Sequence, residues 1–218
     1  MIVPAMTPLE VYKEIVEDGV SVMKTVTTKI HIQTHVMKRT HQFRWVETLH
    51  IKSSRQNDWS VVINLNGITK DVNLYVKAND QQGLTAYSVL MLQDVPMLIK
   101  YNAHFFKRYR ERMLLGETKP DQILKKFFRN NVRITPAYSE KAEDGTMMAV
   151  MSLPEGMGLG RFSETSPITE MKTFIAHETL NKGQRELIQM LNEDESYQDG
   201  ITYIASSKVK APANTNRE

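Results

Sequence analysis

The stretch "YNAHFFKRYRERM", residues 101–113, places one histidine, one lysine and three arginines within a few turns of a helix. His104, Arg108 and Arg112 are spaced by four, so on a helix they form one stripe at the border of the apolar face made by Phe105, Phe106, Tyr109 and Met113. Side chains in that position are held by packing and still reach solvent. His104 also falls in the first turn, where the positive end of the helix dipole and the nearby Arg108 both disfavour a second positive charge. A neutral imidazole is the form a general base needs. Arg108 and Arg112 could then hold a phosphate and stabilise the charge that develops on a phosphorane, which is the chemistry of metal-independent phosphodiester cleavage. Lys107 and Arg110 point elsewhere on the helix and are candidates for substrate contact.

His177 is a second imidazole that could share acid and base roles with His104. The "HETL" that begins there lacks the second histidine of a zinc protease motif. His31 and His35 would share a helical face as metal ligands, but no third ligand accompanies them. "GMGLGRF" has neither the spacing of a phosphate loop nor that of a dinucleotide fingerprint, so it is expected to form a hairpin or bulge. Zero cysteines exclude thiolate metal sites, a cysteine nucleophile and disulfides. No metal or cofactor is therefore expected.

"HFFKRYRERM", the following "PDQILKKFF" and the later "MKTFIAHETL" together resemble the His-x-x-x-Arg-x-x-x-Arg pattern of small bacterial ribonuclease toxins of the RelE and colicin-like group, over residues 98–180. The resemblance implies helices ahead of a small antiparallel sheet and RNA cleavage without metal. It also implies His104 as base or acid, Arg108 and Arg112 as phosphate and transition-state contacts, and Thr173 as a hydroxyl that orients substrate. A competing reading gives the same residues no catalytic part. His104 then caps a helix, the arginines pair with Glu111 or a neighbouring strand, Thr173 fills a strand position, and the chain is a binding or assembly protein. RNA or an acidic protein would be its partner.

The charge distribution bears on both readings. From residue 98 to 135 there are ten lysines and arginines against three acids, although the whole chain carries only +3. Such a stripe attracts acidic partners, and it also occurs as an ordinary solvated helix surface.

The elements that must position these residues can be read from period and turn chemistry. Thr7-Pro8-Leu9-Glu10 is a helix start with a capping box, and helix is expected to about residue 24. Gly19 and the β-branched "TVTTKIHIQTHV" leave its continuation open. From Phe43 to Lys100 the period changes to two, with turns at "SSRQND", Asn66-Gly67, Gln82-Gly83 and "QDVP", which predicts an antiparallel meander. Trp45, Trp59, Tyr75 and Tyr87 read as its packing. Asn102 caps a helix from Ala103 to Leu115 ended by Gly116, and Pro120 opens another to about Asn130. Three strands follow, then a helix from near Leu180 to Leu191, and a short strand "ITYIAS". The fold class is α+β: an N-terminal helix with an antiparallel meander, then two helices, a small antiparallel sheet and a C-terminal helix. Residues 1–97 and 98–205 form its two parts, and 206–218 a flexible tail. At 41% hydrophobic the chain can bury a sizeable core. With no basic-then-apolar leader and no apolar run of about 18 residues, it is expected to be cytoplasmic and without membrane contact.

Overall fold

A computed structural model describes residues 1–193 apart from 68, 82, 93–94, 139–142 and 164. The expected strand "ITYIAS", the tail 206–218, and parts of the turns at Gln82 and "QDVP" lie outside the described residues.

Thr7 starts the first helix as its sequence predicts. Its hydroxyl accepts from the Glu10 backbone, the Glu10 carboxylate accepts from the Thr7 backbone, and Pro8 takes the first turn. This helix, α1 (Pro8–Thr40), is 33 residues long and does not stop near residue 24. One feature carries it through the β-branched segment: Val22, Val26, Ile30 and Met37 keep an apolar stripe buried at helical spacing. The hydroxyls of Thr28, Thr34 and Thr40 donate to the carbonyls four residues back, which satisfies them without ending the helix. Packing thus overrides weak local propensity.

Five strands follow as a meander: β1 (Trp45–Lys52), β2 (Asp58–Leu65), β3 (Lys70–Asp80), β4 (Gly83–Leu92) and β5 (Val95–Tyr101). Asn66 closes the β2–β3 turn by accepting from the backbone N–H and the hydroxyl of Thr69, with Gly67 at φ 70°. The helices α2 (Ala103–Arg112) and α3 (Pro120–Asn130) come next. After them lie β6 (Thr135–Tyr138), β7 (Thr146–Leu153), β8 (Gly156–Ser163) and β9 (Ile168–Ala176), one 3-10 turn (His177–Thr179), and α4 (Lys182–Glu193).

The later strands do not make a separate small sheet. All nine strands form one sheet in the order β1-β2-β3-β4-β5-β9-β8-β7-β6, joined at its middle by the parallel pair β5 and β9. The cut between residues 97 and 98 therefore falls inside β5. One face carries α1, whose core includes Trp59, Val61, Ile63, Val76 and Leu98. The opposite face carries α2 and α3, over a core of Tyr75, Tyr101, Phe105, Phe127, Phe128 and Phe174. At the far end α4 packs on Val150 and Met157. Glycines in β8 permit close approach: a Cβ on Gly160 would lie 2.2 Å from the Glu170 carbonyl oxygen, and one on Gly156 2.0 Å from that of Ile175. "GMGLGRF" is thus a strand, with a register shift between Leu159 and Gly160 opposite β9.

Candidate functional site: the basic face of α2 and α3

Asn102 caps α2, its side-chain oxygen accepting from the Phe105 backbone. Phe105, Phe106 and Tyr109 turn into the core, so the polar residues of the helix are presented outward. The helix ends at Arg112, earlier than Gly116. Leu114 takes the left-handed turn instead, at φ 49°, and its side chain is 90% exposed. Lys119 and Pro120 start α3 without a side-chain cap, and Ile123, Leu124, Phe127 and Phe128 face inward.

His104, Arg108 and Arg112 share the predicted stripe, but each has a local partner. The Nε of Arg108 donates to Nε2 of His104 at 3.3 Å, and its Nη1 donates to Glu111 at 3.1 Å. An Nε2 that accepts is using the lone pair with which a general base would take a proton. Arg112 donates to the carbonyl oxygen of Phe174, tying the end of α2 to β9. His104 and Arg108 are therefore tied up by contacts within α2, and Arg112 by one contact from α2 to β9.

Thr173 does not join them. It pairs with Leu159, which packs with the α4 core, while its neighbour Phe174 packs against Phe105 and Tyr109 under α2. Alternation along the strand puts the Thr173 side chain on the other face of the sheet. His177 lies just past β9, exposed, with its backbone N–H donating to the Glu155 carbonyl at 3.4 Å. Lys107 is exposed on α2, and Arg110 is half-buried. His31 and His35 do meet on α1, their ring centroids 4.5 Å apart, and no cluster of three potential ligands exists among the described residues.

One polar group with no motif in the sequence organises this region. Glu155, in the turn between β7 and β8, accepts from the Tyr109 hydroxyl at 2.6 Å, Asn130 at 2.7 Å and Asn131 at 2.8 Å; its backbone N–H donates to the Asn131 side chain. Burial, reinforced by Glu155, raises the pKa of Tyr109 far above its ordinary value, so the phenol stays a donor. Each of these residues is common and isolated in the chain, and only the return of β7 to α3 brings them together.

The cations are more orderly than the catalytic candidates. Lys100 leaves the stripe, because β5 directs it to the α1 face, where it pairs with Asp80 at 3.1 Å. The other nine belong to α2, α3 and their flanks. Arg108, Lys125 and Arg133 have ion pairs with Glu111, Asp121 and Asp71. Lys107, Arg110, Lys119, Lys126 and Arg129 have no carboxylate within ion-pair distance among the described residues, and all but Arg110 are exposed. No helix among the described residues is long and apolar enough to cross a membrane. Comparison with protein-family models, with curated proteins and with solved structures gives no match.

Proposed function

We propose that this chain is a non-catalytic binding protein whose basic helix pair contacts an acidic partner. The observation that carries the reading is the surplus of unneutralised cations on the outward side of α2 and α3: Lys107, Arg110, Lys119, Lys126 and Arg129. Both helices lie flat on one sheet face through a core of packed aromatic rings, so these charges stand on a rigid platform. A broad positive platform suits contact with a polyanion.

Metal-independent RNA cleavage is the second reading, favoured by the order of α2, α3 and the antiparallel run β6 to β9, which is the arrangement the toxin resemblance implies. It requires His104 to be released from Arg108 and Thr173 to be dispensable. One experiment separates the two. Purified protein is mixed with a labelled RNA or with polyglutamate in excess EDTA, and binding and product ends are both followed. Binding without cleavage that is lost in Lys126→Glu/Arg129→Glu supports the first reading. Release of 2′,3′-cyclic phosphate ends that stops in His104→Ala supports the second.

A further inference from the structure

On the α1 face no helix among the described residues lies over the middle of the sheet. Tyr87, Lys100, Glu170 and Arg161 are successive cross-strand partners on β4, β5, β9 and β8, so they stand in one row across the parallel seam. Strands at a parallel junction are ordinarily apolar on both faces, because helices cover them. Here α1 reaches only to Val11 and Ile168 on one side and α4 only to Met157 and Leu159 on the other, leaving an open cleft of about 510 Å³ over the row. That volume lies in the range of small-molecule sites, roughly 300–1,000 Å³.

The walls of the cleft differ in kind. One is apolar, built from Val3, Met6 and Val11 of the N-terminal segment and α1, together with Ile168. The other is charged, and among the described residues that line it one cation is in excess. Lys100 pairs with Asp80 at 3.1 Å and approaches Glu170 at 4.0 Å, and Lys172 pairs with Glu170. Burial works against the Lys100 charge, but Tyr87, Asp80 and Glu170 together outweigh it and hold its pKa above the ordinary value. Arg161 has no carboxylate within ion-pair distance among the described residues. Asp144, whose carboxyl is lowered chiefly by Thr146, feels it only as a minor contribution.

We infer that this cleft binds a small amphipathic carboxylic acid, its carboxylate on the Arg161 guanidinium and its apolar body against Met6, Val11 and Ile168. A single surplus positive charge matches a monoanion, and the planar guanidinium fork matches a carboxylate bidentately. The apolar wall gives the hydrocarbon body a surface that water would otherwise cover. The cleft lies across the sheet from the basic helices, so its occupancy and the binding proposed for α2 and α3 stand or fall separately.

Octanoate is the probe, followed by the methyl signals of methionine labelled with carbon-13, with the Met6 signal assigned from Met6→Leu. The expected result is a saturable shift of the Met6 signal, with exposed Met190 unmoved. Arg161→Gln should weaken octanoate about tenfold, as should replacing octanoate with octanol, because each removes a charge-assisted hydrogen bond. Val3→Glu, which places a carboxylate on the apolar wall and keeps the Met6 reporter, should abolish the Met6 shift. Equal affinity of wild type and Arg161→Gln overturns the proposal, as does equal affinity for octanol. So does a shift spread evenly over the exposed methionines, or no saturable shift at all.

Discussion

The most demanding single residue lies away from both sites. Asp18 of α1 is 1% exposed, and its Oδ2 accepts from the Ser53 hydroxyl at 2.6 Å, Asn57 at 2.7 Å and the Trp59 indole at 2.8 Å. One carboxylate oxygen thus ties α1 to the β1–β2 turn and to β2. Asp18→Ala takes the acceptor from the Ser53 hydroxyl and the Trp59 indole and leaves Asn57 only its bond to Glu14 at 3.0 Å, which should cost about 3 kcal/mol and be read as a lowered midpoint in urea unfolding. A second residue gives the fold a dependence on acid. Burial alone would raise the Asp121 carboxyl, but Lys125 and Lys77 outweigh it and hold its pKa below the ordinary value. A depressed folded pKa contributes stability that is present above the unfolded value, near about 3.9, and is lost as pH falls through the folded value. Wild type should therefore lose stability below about pH 4 more steeply than Asp121→Asn, as thermal melts across pH 2 to 6 would show.

At the scale of elements, α1 shows how packing and propensity divide the work. Gly19 faces the Trp59 ring, and a Cβ there would lie 3.5 Å from Cη2, an ordinary contact. Gly19→Ala should then stabilise the protein by about 0.5–1 kcal/mol, raising Tm, since it removes a helix-weakening glycine without a clash. The sequence carried the start of α1, the Asn102 cap and the meander of β1 to β5, because each rests on local chemistry: a capping box, a side-chain acceptor, period-two runs with turn residues. It concealed the length of α1, which depends on a sheet surface beneath Ile30 and Met37. The four-residue strand β6 was missed because it is too short to show a period. The basic stripe was legible as spacing. The face of Thr173 was not, since it depends on which side of the sheet receives α2. Glu155 and its three donors were invisible for a similar reason, because they come from β7–β8, α2 and α3 and meet only in the fold.

For the whole molecule the decisive feature is the parallel pairing of β5 with β9, which a sequence read for local patterns does not disclose. Leu98 and Ile99 belong to the cores on opposite faces, and Tyr101 meets Phe105, Phe127 and Phe128, so the two halves share a centre. Unfolding in urea should consequently follow one transition by far-ultraviolet circular dichroism and by tryptophan fluorescence alike. Trp45 and Trp59 report the first half only, so a separate earlier or later loss of secondary structure would show the halves to be independent.

The same architecture fixes the basic helices on one side of a continuous sheet, and the claim that they bind an acidic partner is tested most directly by the salt dependence of binding. Fluorescence anisotropy of a labelled single-stranded RNA would be followed across potassium chloride concentrations for wild type and for Lys126→Glu/Arg129→Glu. Contacts from several cations predict a Kd that rises steeply with salt, with a log–log slope reduced by about 0.7 for each lost phosphate contact and a weaker Kd in the variant. If neither the RNA nor labelled polyglutamate binds, or both bind with the same affinity and slope in both proteins, the outer face of α2 and α3 is a solvated surface and the account is contradicted.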